Sequence, residues 1–180
     1  GRTHGFQIWV NLTSSQKMME PRYQEVPSTE SPIVEQDGVW ARVIAGECMG
    51  TTSSIDTKIP ITLIHVKMKP ESRLVQQLQA DLNGMIYVFG GGINLENEIK
   101  VKKSPIAFGI GAKQGLQDGE LALLSEGEEI VIESQEGAEY LILAGPELNE
   151  PIERYGPFVM NTKEEIHQAF LDYQNGTLTS

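Results

Sequence analysis

Ile61-Thr62-Leu63-Ile64-His65-Val66-Lys67-Met68 alternates apolar and polar side chains over its second half and lies between Pro60 and Pro70. Alternation with period two sends successive side chains to opposite faces of a strand. Proline brings no amide to a ladder, so one before the run and one after it mark its ends. The same signal recurs outward from this run. Val39–Ala45 predicts a strand punctuated by Gly46 and Gly50, and Thr51–Lys58 a weaker, polar one. Met85–Phe89 predicts another, followed by Gly90-Gly91-Gly92, residues suited to the positive φ angles of a tight reversal. Glu98–Lys102, Leu121–Leu124, Ile130–Glu133 and Tyr140–Ala144 complete the series, with Ser125-Glu126-Gly127-Glu128 as a hairpin turn. Many short strands at regular spacing point to a mainly β fold, a sandwich or barrel. Its core is expected from Ile61, Leu63, Ile64, Val66, Met68, Ile86, Val88, Leu123, Ile130, Ile132, Leu141 and Leu143.

Two segments carry a helical period instead. Leu74, Val75, Leu78 and Leu82 fall at helical intervals within Glu71–Asn83 and predict a short amphipathic helix. Near the end, Thr162 followed by Glu165 forms a capping box, and Ile166, Ala169, Phe170 and Tyr173 make one apolar face, so the helix is placed at 163–175 with Gly176 as its stop. At the other end, Phe6–Leu12 alternates and predicts a leading strand. Ser15–Met19 predicts one helical turn halted by Pro21, and the Pro- and Ser-containing stretch 26–38 an extended linker. Pro105–Gly119 is glycine-rich and predicts a long loop. The organisation expected is a leading strand and turn at 1–25, a linker at 26–38, a barrel at 39–152 and a tail with the helix at 153–180. Because a strand follows Gly1 almost at once, an upstream part is expected in the native protein.

The chain has 180 residues, of which 39% are apolar and 22% charged, a composition that folds. At this length roughly two thirds of the unfolded surface can be buried, enough to hold a core without a metal or disulfide. Cys48 is the single cysteine and cannot form an internal bridge, which points to a reducing compartment, cytoplasmic or nuclear. Fourteen Lys and Arg against 25 Asp and Glu give a net charge of −11, which argues against direct nucleic-acid binding. Lys100, Lys102 and Lys103 are too small a cluster to offset it. No apolar run approaches the ~20 residues of a membrane span.

Candidate chemistry is sparse. His4, His65 and His167 have no ligand-type partners at metal spacing except Glu164 near His167, and an i, i+3 Glu-His pair serves di-metal sites only when it occurs twice. Cys48 follows Glu47, whose charge opposes a thiolate. Gly109-Ile110-Gly111 with Gly115 misses the dinucleotide spacing by one place, and Gly90-Gly91-Gly92 lacks the Lys-Ser/Thr of a phosphate loop. Glu128-Glu129 would point to opposite faces of a strand, and Glu164-Glu165 suits the first turn of a helix. No catalytic, cofactor-binding or metal-ligating residue is assigned.

Several longer stretches resemble one family. Gly5-Phe6-Gln7-Ile8-Trp9-Val10-Asn11-Leu12 and Lys17-Met18-Met19-Glu20-Pro21-Arg22-Tyr23-Gln24 resemble the centre of pirins. Val43–Glu47, Gly145–Ile152 and above all Tyr155-Gly156-Pro157-Phe158-Val159-Met160-Asn161-Thr162 with Glu164-Glu165-Ile166 are similar to later segments of that family. The resemblance runs nearly end to end but covers only the latter part of a pirin, a protein of two cupin domains. It implies a C-terminal cupin, an antiparallel β-barrel or jelly roll with one C-terminal helix. It also implies that the iron ligands of the family lie in an N-terminal cupin, upstream of the Gly-Phe-Gln-Ile-Trp segment, so that no residue here inherits them and this chain holds no cofactor itself. Residues 100–119 look like an insertion relative to the family.

The function implied is that of a metal-free structural and interaction module of an iron-dependent transcriptional co-regulator. Two alternatives stand beside it. The chain is part of a pirin-type flavonol (quercetin) 2,3-dioxygenase whose iron lies in a missing cupin, or the barrel holds a small ligand. The leading strand and terminal helix are expected to face the missing N-terminal cupin or another protein, or to form a homodimer, through an apolar patch around Trp9, Ile166 and Phe170.

Overall fold

A computed structural model of the chain describes residues 3–79, 81–96, 115–124 and 127–178. The expected strand Glu98–Lys102, the lysine cluster, Gly109–Gly111, most of the 100–119 insertion and two residues of the expected hairpin turn lie outside them. Two compact units result: one spans Gln24–Glu147, the other combines Gly1–Tyr23 with Leu148–Ser180.

The larger unit is a curled antiparallel sheet. Its strands are β1 (Ile33–Gln36), β2 (Val39–Ala45), β3 (Glu47–Cys48), β4 (Thr51–Thr52), β5 (Thr62–Met68), β6 (Ser72–Gln77), β7 (Leu82–Leu95), β8 (Gly115–Gln117), β9 (Leu121–Leu123), β10 (Glu129–Ser134) and β11 (Ala138–Pro146). The main sheet runs β1-β2-β5-β11-β7-β10-β6, with β8 and β9 also bonded to β7, while β3 and β4 pair with each other. Register aligns the inward side chains in rows. Val43, Ile64, Ile142, Ile86 and Ala122 form one row across five strands. The first four are fully buried. Ala41, Val66, Tyr140 and Val88 form the next, also fully buried. Period-two alternation thus delivers a continuous apolar interior.

The smaller unit contains β12 (Glu153–Tyr155), β13 (Phe158–Met160) and α1 (Lys163–Asn175). Phe158, Ile166 and Ala169 form its core, with Met160, Phe170 and Leu178 packed around them. The helix occupies the expected span and is held by the expected box. Thr162 Oγ1 accepts from Glu165 N at 3.1 Å, and Glu165 Oε2 accepts from the Thr162 and Asn161 amides at 2.9 Å. Gly176, at φ 72°, closes the last turn. Thr162→Ala removes one half of the box and is expected to cost about 1 kcal/mol. Hydrogen exchange should show this as faster exchange at the first helical turn, with the β11 amides unchanged.

Several expectations are corrected. Ser72–Gln77 is a strand rather than a helix; its inward positions are Ser72, Leu74 and Gln76. Two polar residues facing inward hide the alternation, and pairing with β10 overrides the local helical spacing. Gly90–Gly92 does not reverse the chain. β7 runs straight through it, with Gly91 at φ +67° beside a β-bulge between Glu139 and Tyr140. Phe6–Leu12 has no strand partner among the described residues, so alternation without a sheet edge leaves it without regular secondary structure. Ile33–Gln36, inside the expected linker, pairs with β2. Thr51–Lys58 keeps only two strand residues. β9 and β10 do not pair with each other, so they form no hairpin. Ile61, Leu63, Leu123 and Leu143 are only half-buried, because they lie outside the inward rows.

Candidate functional site

Three places could carry chemistry or contact: the sheet interior, its outer face, and the surface of the smaller unit. The interior is where a cupin would hold a metal. Its rows of Val, Ile, Ala and Tyr offer no set of nitrogen or carboxylate donors. Among the described residues no group of three or more His, Cys, Asp or Glu side chains is placed to hold a metal ion. The described interior residues therefore do not supply the imidazole and carboxylate ligands that iron takes in open sites. Two of the polar groups inside are satisfied locally, whereas Gln76 Oε1 has no hydrogen-bond partner among the described residues. Tyr140 Oη donates to Met68 Sδ at 3.1 Å, and Ser134 Oγ donates to the Gly92 carbonyl at 2.7 Å. Burial pushes the Tyr140 hydroxyl well above its ordinary range. It also pushes the Cys48 thiol up to about 11, with Glu47 adding to the effect, so Cys48 is a packed thiol and no nucleophile.

The outward positions of β2, β5, β7 and β11 build a mixed cluster that inspection of single strands could not assemble. His65 Nε2 lies 2.8 Å from Glu139 Oε1, and Lys67 Nζ lies 3.1 Å from the same oxygen. A carboxylate only accepts, so His65 carries its proton on Nε2. Trp40 meets the His65 ring edge-on at 5.3 Å, and Phe89 lies 5.6 Å from His65 on another side. Arg42 and Lys67 sit over the Trp40 ring at 5.5 and 5.6 Å. Arg42 Nε is buried and has no hydrogen-bond acceptor among the described residues, so the indole face is the guanidinium's neighbour. Burial lowers the His65 pKa below its ordinary 6.5, with Lys67 and Arg42 adding to the effect and Glu139 opposing it. For Glu139, burial pulls upward but the hydrogen bonds from Lys67 and His65 prevail, and its pKa falls below 4.5.

Both shifts have the same consequence for stability. A histidine whose pKa is depressed on folding binds fewer protons in the native state, so stability declines as pH drops below 6.5. Glu139 adds a further decline below 4.5, as it protonates through its lowered native pKa. Glu139→Gln removes both influences that raise the His65 pKa. The His65 ring-proton NMR titration should then move its midpoint lower still; a midpoint that rises would contradict the geometry.

The three residues expected at an interaction surface all belong to the smaller unit. Trp9 is 62% exposed, Phe170 is half-buried, and Ile166 is buried with Phe158 and Ala169. Phe170 packs edge-on against Phe158 at 4.9 Å and leans on Tyr155 at 5.5 Å. Trp9, Val10 and Leu12 line a hollow of about 300 Å³ with Pro157, Val159 and Met160, and Met160 also touches the helix cluster. Tyr155 and Tyr173 add exposed aromatic surface. Glu150 anchors the leading segment, accepting from Ser14 N at 2.7 Å and from Asn161 Nδ2 at 2.8 Å. Among the described residues no helix is long and apolar enough to cross a membrane.

Known proteins resemble this arrangement closely. The model of the pirin C-terminal cupin domain matches residues 63–179. The chain is 36% identical over 174 residues to a pirin of Homo sapiens, covering 96% of this chain and 56% of that protein. It is 35% identical over 178 residues to a pirin-like protein of Solanum lycopersicum, covering 98% and 57%. Among solved structures, a quercetin 2,3-dioxygenase from Acinetobacter baumannii superposes with a TM-score of 0.80 at 31% identity, over 96% of this chain and 56% of that one. The chain thus spans little more than half the length of each of these relatives.

Proposed function

From the premise that this chain belongs to the pirin family, with residues 63–179 matching the family's C-terminal cupin domain, we propose that it is a metal-free structural and interaction module of a transcriptional co-regulator. The observation that carries this reading is the filled interior: five strands contribute a buried row of aliphatic side chains where ligands would have to stand. Iron, in this reading, belongs to an N-terminal cupin supplied by the rest of an intact pirin, and the working compartment is the cytoplasm or nucleus. The layout proposed is a leading segment at 1–25, a connecting stretch at 26–38 whose strand Ile33–Gln36 joins the sheet, the cupin at 39–152 and the helical tail at 153–180. The exposed aromatic surface around Trp9 meets that N-terminal cupin; a homodimer through the same surface is the competing arrangement.

Elemental analysis of the purified chain after equilibration with ferrous iron tests the proposal. Substoichiometric iron that washes out on desalting is the expected result. One tightly held iron per chain would overturn it. A second reading rests on the likeness to the Acinetobacter baumannii quercetin 2,3-dioxygenase, of which this chain covers 56%. There the chain would be the scaffold half of an oxygenase, with its catalytic metal in the other half. Incubation of the chain alone with quercetin and ferrous iron is then expected to consume dioxygen no faster than the same mixture without protein.

A further inference from the structure

The outer face of the larger unit carries a cation without an anion. Lys58, Lys67, Lys69 and Arg73 each lie within 3.9 Å of a carboxylate. Arg42 has neither a hydrogen bond nor an ion pair among the described residues, although the chain contains 25 acids. Trp40, two residues earlier on β2, projects from the same face and lies 5.5 Å beneath its guanidinium. We propose that this face docks an extended acidic segment of a partner protein, which sets a carboxylate on the Arg42 guanidinium and an apolar side chain, two residues away, against Trp40.

The register explains why Arg42 stays unpaired. Its cross-strand neighbours are Ile33 of β1 and His65 of β5, and neither is an acid. The carboxylates on the same face are already engaged. Glu35, opposite Trp40, lies 3.2 Å from Lys69, and Glu139 accepts from His65 and Lys67 at 2.8 and 3.1 Å. A guanidinium keeps its charge at any physiological pH and brings five donors in a planar fork. Arg42 Nε is covered, yet the residue as a whole is only half-buried, and the two terminal amino groups lie beyond Nε on the side chain. A carboxylate accepts from such a fork through both of its oxygens.

Charge and surface then specify the partner. Arg42 and Lys67 against Glu139 leave the centre of this face positive on a chain of net charge −11, so an acidic segment is attracted here and repelled elsewhere. Ile33, 45% exposed, extends the apolar surface beside Arg42, and Trp40 is half-buried. Tryptophan and arginine are the side chains that most often dominate binding energy at protein interfaces. Residues i and i+2 of an extended segment point the same way about 7 Å apart, which is also the spacing of Trp40 and Arg42 along β2. A carboxylate and an apolar side chain so spaced meet both at once. This contact goes beyond the function proposed above, since it uses the larger unit and involves neither Trp9 nor a metal.

Fluorescence anisotropy of a fluorescein-labelled peptide of repeating Glu-Ser-Leu-Ser, titrated with the full chain at low ionic strength, tests the proposal. A second peptide has glutamine in place of each glutamate. Saturable binding of the glutamate peptide is expected, with the glutamine peptide weaker by about tenfold, the loss of one charge-assisted contact. Arg42→Gln should weaken the glutamate peptide by a similar factor and leave the glutamine peptide unchanged. Arg42→Lys, which keeps the charge without the fork, should fall between, and Trp40→Ala should weaken both peptides. Circular dichroism of each variant confirms that it is folded. Absence of binding by the wild-type chain would overturn the proposal. So would equal affinities for the two peptides, unchanged binding by folded Arg42→Gln, or tighter binding of an oligothymidylate than of the glutamate peptide. Loss of binding in Trp9→Ala with none in Arg42→Gln would also overturn it, by placing the peptide on the smaller unit, and would leave the function proposed above standing.

Discussion

Gly91→Val is expected to destabilise the larger unit by more than about 4 kcal/mol, and to leave little folded protein. Gly91 lies in β7 opposite Ala138, two residues beyond the β7 bulge at Phe89, with φ +67°, a conformation a β-branched residue adopts only under strain. A Cβ there would also collide with the Gly137 carbonyl oxygen and stand 3.2 Å from Ala138 Cα. Those neighbours are backbone, and no rotamer change relieves the clash. Gly119 separates the two causes. Its φ is +83°, yet nothing lies within 4 Å of its Cβ position. Gly119→Ala should therefore cost only about 1 kcal/mol, the backbone penalty alone. Urea denaturation followed by far-ultraviolet circular dichroism checks both. Equal losses at the two positions would show that close approach at Gly91 does not matter.

The second large effect is expected at Ile142. This residue is fully buried on β11, directly between Ile64 of β5 and Ile86 of β7. Ile142→Ala deletes side-chain volume at the middle of the row, where neighbours on both sides are themselves fully packed and cannot close the gap. A loss of about 2–5 kcal/mol is expected, against about 0.5–1.5 for Ile142→Val. Val75 provides the comparison: it lies on the edge strand β6, paired with β10, and is 38% exposed, so Val75→Ala should stay within about 0.5 kcal/mol. A midpoint shift for Ile142→Ala no larger than for Val75→Ala would show that the interior is loosely packed and could admit other occupants.

Much of the fold was legible because alternation and burial agree along β2, β5 and β11. Ile64, Val66 and Met68 are inward as period two requires. The terminal helix was legible from its caps, since Thr162, Glu165 and Gly176 act through contacts only three to five residues away. What could not be read depends on distant pairing. Gly90–Gly92 looks like a turn until Gly137 is placed against it. Ser72 and Gln76 look outward until β10 fixes the register of β6. The His65–Glu139 contact joins residues 74 apart in the chain, so no spacing rule could reveal it. Gln76 belongs to the same class: a polar residue in an otherwise readable strand, whose meaning lies in an unpaired oxygen.

The central place of β7 also governs how the chain reaches this state. This strand is hydrogen-bonded to β8, β9, β10 and β11, and β11 returns to it from 47 to 64 positions downstream. Local hairpins such as β1–β2 cannot assemble the sheet by themselves, because the central strand β7 is completed only by late-arriving sequence. Such reliance on remote pairing makes acquisition of the native form slow. It also means that amide protons along Ile86–Val88 should be the last to be released when the unit opens, since losing any one neighbour leaves the others in place.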